Sequence, residues 1–169
     1  MARLRDLGSD EFEIAAKGDY PVAARDRWLI LLDSGQPFCS LSPGSVLDAS
    51  TPPPPIIVAS ANLDLRAALA SPAFAQAGDV SAVVLVEEQR VVGVWGGPRL
   101  ETIVSRGVVP TRGGSQLPGE IDDIPLIVRS CTYRELRTIC ATVDSFRSKP
   151  FPMPSCRNDH RLSAHTFGW

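Results

Sequence analysis

Residues Trp28 to Val46 (WLILLDSGQPFCSLSPGSV) lie without a gap over Ala82 to Leu100 (AVVLVEEQRVVGVWGGPRL), at an offset of about 54 residues. Apolar residues coincide at Trp28/Ala82, Leu29/Val83, Ile30/Val84, Leu31/Leu85 and Leu32/Val86, and acid falls on acid at Asp33/Glu87. A chain that repeats itself at this period is built from two copies of one supersecondary unit. Each copy reads as a continuous apolar strand, a short polar turn (Asp33-Ser34-Gly35-Gln36; Glu87-Glu88-Gln89-Arg90) and a second strand (Pro37 to Leu41; Val91 to Trp95). First strands of this kind are covered on both faces, and turns of this length close a hairpin.

Covering such hairpins takes further elements. Asn62 to Phe74 starts on a capping residue and sets Leu63, Leu65, Ala68 and Leu69 on one stripe, which predicts a helix. A second helix is expected from Pro98 to Arg106, stopping at Gly107, and a shorter counterpart from Ser42 to Leu47 after the first hairpin. Pro52 to Pro55 is a stiff extended link, and Ile56-Ile57-Val58 re-enters the core as a strand. The segment 111–123 lacks apolar periodicity and reads as an exposed loop.

The order strand, helix, hairpin, helix in Ile56 to Gly107, and above all AVVLVEEQRVVGVWGGPRL, resembles a cystathionine-β-synthase-type (CBS) domain. Domains of that family occur as tandem pairs, so the resemblance implies a CBS pair: copy one at about 12–47 and copy two at about 56–107, within a unit spanning 1–110. It implies an α/β (α+β) fold of tandem β-α-β-β-α units and a regulatory, non-enzymatic role. Association into a homodimer through the helices, and a protein partner, are implied as well.

In that family Gly-h-x-Thr/Ser-x-x-Asp after the hairpin holds an adenine nucleotide, with the hydroxyl near phosphate and the Asp carboxylate on the ribose. Copy one keeps the hydroxyl at Ser42 but has Ser45 where the Asp belongs. Copy two keeps Gly93 but reads Gly96-Gly97-Pro98-Arg99 beyond it, without hydroxyl or acid. Neither motif is complete, and a neutral or cationic group cannot replace the paired bonds of a carboxylate, which makes adenine-nucleotide sensing doubtful. The candidate ligand residues are Ser42, Ser45, Gly96, Gly97 and Arg99. Backbone N–H groups of Gly96-Gly97 at a helix start, with Arg99 one turn in, would suit an anion; a plain strand-to-helix turn explains the same residues.

The tail, 124–169, differs from the rest. Pro125 to Tyr133 and Arg137 to Phe146 are β-prone runs joined by an expected tight turn at about Arg134-Glu135, which makes Cys131 and Cys140 neighbours on a hairpin. Cys156, His160 and His165 follow. Cys131, Cys140, Cys156 and His165 (or His160) compose a Cys3His set of the kind that tetrahedral zinc accepts, in a short tail with little core of its own. No Cys-x(2–4)-Cys knuckle is present, so a Cys131–Cys140 cross-link and plain buried thiols stay open beside zinc. The closing Phe167 and Trp169 are either docked on the protein's own core or offered to a partner.

Charge and motif content narrow the function classes. A formal net charge of -2 supplies no overall basic field, which makes nucleic acid an unlikely partner, though a local patch is compatible with it. No apolar run reaches the roughly 18 residues that span a bilayer, and Met1 to Glu13 lacks a signal-peptide core, so the expectation is a cytoplasmic protein with no membrane partner. The Ala/Arg/Val-rich vocabulary suits a bacterial source. No nucleophile elbow, phosphate loop or HExxH pattern occurs, and the expectation is that the chain is not an enzyme. Three readings remain: a CBS-like regulatory module, a zinc-ribbon adaptor that binds protein or nucleic acid through its tail, and a thiol enzyme using Cys156.

Overall fold

The computed structural model describes residues 2–107, 124–135, 138–140, 142–152, 154–156 and 167. The expected loop 111–123, His160, His165 and Trp169 fall outside them. Strands dominate: β1 (Phe12–Ala16), β2 (Val22–Ala23), β3 (Trp28–Asp33), β4 (Gln36–Leu41), β5 (Val46–Leu47) and β6 (Ile56–Ser60) precede a short helix α1 (Leu65–Leu69). After it come β7 (Ala82–Glu87), β8 (Arg90–Gly96), helix α2 (Gly97–Gly107), β9 (Leu126–Ser130), β10 (Arg134–Glu135), β11 (Thr138–Ile139) and β12 (Val143–Phe146). Two 3-10 turns, Leu4–Leu7 and Phe74–Asp79, complete the set. The fold is mixed α+β, mostly sheet with few helices.

Both repeat copies adopt the same strand layout. In the first, β1 runs parallel to β3 and β3 pairs antiparallel with β4; in the second, β6 runs parallel to β7 and β7 pairs antiparallel with β8. The likeness reaches single residues. Each hairpin carries a bulge, between Leu31 and Leu32 in one and between Leu85 and Val86 in the other, at aligned positions. Each turn has positive φ at both central residues, Ser34 and Gly35 against Glu88 and Gln89. That is the geometry whose twist matches a right-handed strand pair.

The two sheets pack face to face. Ile56, Ala82, Val84, Val94 and Val128 meet Ile30, Phe38 and Leu41 in one core, while alternate residues Ile57, Val83, Leu85, Trp95 and Ile127 turn to the opposite face and pack under Leu4, Ala68, Phe74 and Leu100. The larger sheet is therefore apolar on both faces, as its continuous runs require. Its strand order is β12-β9-β6-β7-β8. The tail that reads as separate in sequence thus extends the second unit's sheet, because β9 pairs with β6.

Four local expectations are corrected. Ser42 to Leu47 is no helix: Pro43-Gly44 makes a turn, with Gly44 at φ 77, and Val46–Leu47 pairs with Val22–Ala23. A stretch that short cannot repay helix nucleation, whereas a two-residue ladder can form on a packed surface. Nor does copy one have a crossover helix, since the segment between β1 and β3 contains only β2. The expected helix 62–74 is confined to α1, capped by Asp64, which accepts from Arg66 N and Ala67 N at 3.1 Å; Pro72 ends it, lacking an N–H and restricting Ser71. Arg134-Glu135 is strand, paired with Thr138–Ile139, and not itself the turn.

Candidate functional site

The ligand residues expected from the repeat divide between two environments. Ser42, Ser45 and Gly97 share a cavity of about 550 Å³ with Trp28, Ser40 and Ser81, so both units contribute to its wall. Ser42 and Ser45 are engaged with each other, Ser45 Oγ donating to the Ser42 carbonyl. Gly96 is elsewhere: a Cβ there would fall 2.2 Å from Cζ2 of Trp28, so this glycine is the notch into which the first unit's indole fits. Its N–H donates to Asp10 Oδ2 at 2.8 Å.

Arg99 belongs to the same knot. Its Nε donates to Asp10 Oδ1 at 2.7 Å and its Nη1 to the Leu7 carbonyl at 3.2 Å, beside a second cavity, also about 550 Å³, lined by Leu7, Asp10, Arg99 and Thr102. The carboxylate of Asp10 therefore stands where the sequence left room for an external anion. It caps the start of α2 and pairs its guanidinium in one step. Asp10 was beyond sequence reasoning, because it lies 86 residues from Gly96 and no local pattern joins them.

The three tail cysteines converge. Sγ atoms of Cys131, Cys140 and Cys156 all lie within 4.8 Å of one another, with Cys140 and Cys156 at 3.6 Å. Hairpin pairing explains the first two: Cys131 N donates to the Thr142 carbonyl at 2.8 Å and Cys140 N to the Tyr133 carbonyl at 3.2 Å, which holds both residues side by side past the ends of β9 and β12. Cys156 arrives from downstream. All three are free thiols, and Phe167, packed edge-to-face on Phe146 with centroids 5.5 Å apart, belongs to the same buried cluster.

The three thiols are free and in mutual contact. The 3.6 Å between Cys140 Sγ and Cys156 Sγ is the length of an S–H···S contact between two thiols. Tyr133 N donates to Cys131 Sγ at 3.5 Å, an orienting bond that the Cys-x-Tyr spacing could have signalled. Burial pushes the Cys131 thiol up to about 12, with the neighbouring thiols adding to the rise and the Tyr133 N–H opposing it. A bound cation reverses that preference, because a coordinating thiol is deprotonated outright. Three close cysteines here could hold a metal ion; His165, the expected fourth ligand, lies outside the described residues.

Compared with known proteins, the chain matches no family model, no curated protein and no solved structure. No helix among the described residues is long and apolar enough to cross a membrane.

Proposed function

We propose that this chain is a non-enzymatic regulatory or protein-interaction module, a degenerate CBS-type pair whose ligand positions have been taken over by its own side chains. The observation that carries the reading is the residue-level match of the two hairpins, bulge on bulge and turn on turn, stacked across one core. Asp10 filling the anion position at Gly96 and Arg99 supports the loss of nucleotide binding. Cys39 and Cys131, both pushed up to about 12 by burial, are held protonated near neutrality in the absence of metal, which makes neither of these two a ready nucleophile. Thermal shift against ATP, AMP and S-adenosylmethionine tests it. No shift is expected at micromolar ligand, and a clear rise in Tm with ATP would refute the claim of closed sites. Homodimer formation, part of the same reading, is read by light scattering of the eluting peak.

A second reading is favoured by the cysteine cluster: a zinc-ribbon-like adaptor, with Cys131, Cys140, Cys156 and His165 holding one structural zinc. His165 stands two residues before buried Phe167, a span of at most about 7 Å of chain. The zinc would neutralise three crowded thiolates and tie the chain's downstream end to the sheet. Metal analysis of reduced protein is decisive. One equivalent, lost in Cys156→Ser and in His165→Ala, is expected; metal-free protein with an intact fold would remove this reading.

A further inference from the structure

The chain's charge is unevenly divided. Residues 1–123 carry ten Lys and Arg against sixteen Asp and Glu, a net of -6, whereas 124–169 carry seven against three, a net of +4. The near-neutral total that disfavours nucleic acid for the whole molecule therefore conceals a basic tail joined to an acidic body. A segment of this sign attracts an anionic partner locally.

The segment leaving β12 concentrates that chemistry. Arg147, Ser148 and Lys149 are all exposed, and neither cation forms an ion pair with a described carboxylate. Two residues on, Phe151 is 101% exposed, the most exposed large apolar side chain among the described residues. Pro150 and Pro152 flank it and restrict the backbone on both sides, so the ring is presented with little conformational freedom to lose on binding. An aromatic ring in full solvent next to such cations has no stabilising role in the fold. Both of its faces are open to stacking.

We propose that the 147–152 segment docks single-stranded nucleic acid, a base stacking on Phe151 while Arg147 and Lys149 meet the flanking phosphates. Stacking on a presented ring with backbone neutralisation by nearby cations is the sequence-tolerant mode of single-strand binding. An acidic peptide would satisfy the two cations but leave the ring faces without a partner of matching shape. The inference deepens the adaptor reading by naming its partner, and it rests on that reading for the anchoring of the tail beside the cysteine cluster.

The test uses the full chain with its metal content measured on the same sample. Fluorescence anisotropy with labelled oligothymidylate and oligouridylate of about 12 nucleotides, at about 50 to 200 mM salt, should show binding with little base preference. Phe151→Ala should weaken it about 5- to 100-fold and Phe151→Trp should restore it. The double variant Arg147→Ala, Lys149→Ala should reduce the slope of log K against log salt by about 1.4, that is, about 0.7 for each phosphate no longer neutralised. Absence of binding at the lowest salt, binding indifferent to Phe151→Ala, or equal binding of oligoglutamate with the same sensitivities would each overturn the proposal. Zinc present without oligonucleotide binding sinks this inference alone, and oligonucleotide binding by metal-free protein sinks the zinc centre alone.

Discussion

The two halves of the core share a backbone plan and differ in almost everything attached to it. Unit one is finished by a two-residue ladder between β2 and β5, whereas unit two is finished by α1 and α2 and widened by β9 and β12. Aligned positions have diverged accordingly. The extra residue of each bulge is Phe38 in one and Val92 in the other, but Phe38 is buried between the sheets and Val92 is 43% exposed. The hairpin is set by local pattern; what each side chain does there is set by what the rest of the chain lays against it.

Cys39 and its aligned partner Gly93 offer the largest test of this divergence. Cys39 is fully buried, and desolvation pushes its thiol up from 9.0 to about 12. A folded-state pKa above the unfolded one means that the folded protein holds the proton more tightly. The contribution is fully present below the unfolded value, and it is lost as pH rises from about 9 towards 12. The rise from 9.0 to about 12 corresponds to roughly 4 kcal/mol at the top of that window. Urea unfolding from about pH 8 to 11 should show stability falling more steeply in the parent than in Cys39→Ala, whose aligned glycine shows that a thiol is not required by the strand. Parallel slopes would mean that Cys39 is solvated. Cys131 should add a similar slope only when the cluster holds no metal, since a coordinated thiolate has no proton left to lose.

A smaller effect is expected at Gly96 and its aligned counterpart Ser42. Gly96 has the Trp28 ring where its Cβ would be, whereas Ser42 is exposed. Gly96→Val should destabilise by about 3 kcal/mol through overpacking, and Ser42→Val by less than about 0.5 kcal/mol. If Trp28→Ala relieves most of the Gly96→Val cost, the indole in the notch is the cause. Equal costs at the two positions would mean that the units are not differentiated where they meet.

Legibility in the sequence followed the range of the interaction. Both hairpins could be read because a run such as Ala82 to Val86 and the turn after it are local signals, and the fit of aligned turns and bulges is their consequence. Convergence of Cys131 and Cys140 was legible for the same reason, as neighbours on one hairpin. The failures are long-range or concern short connections. Asp10 at Gly96 and the Trp28 notch depend on contacts that no window contains, and Ser42 to Leu47 was too short for periodicity to distinguish helix from ladder. Arg99 looked like an open anion contact only because its carboxylate partner comes from the far end of the chain.

The contact that joins the halves most directly is polar, and its asymmetry gives the finest test. Ser40 on β4 and Ser81 just before β7 face each other with hydroxyl oxygens 2.7 Å apart, in a place where Ser40 is fully buried. Ser81 Oγ has a second acceptor, the Pro55 carbonyl at 3.1 Å, whereas the side chain of Ser40 bonds only to Ser81 among the described residues. Removing Ser40 Oγ therefore leaves Ser81 satisfied, and Ser40→Ala should cost less than about 1 kcal/mol. Removing Ser81 Oγ strands a buried hydroxyl, so Ser81→Ala should cost about 1 kcal/mol more than Ser40→Ala. The double variant should lie below the sum of the two, by a coupling of about 1 kcal/mol in a double-mutant cycle. Equal single costs with no coupling would mean that water reaches the pair and that the two units are held together by apolar packing alone.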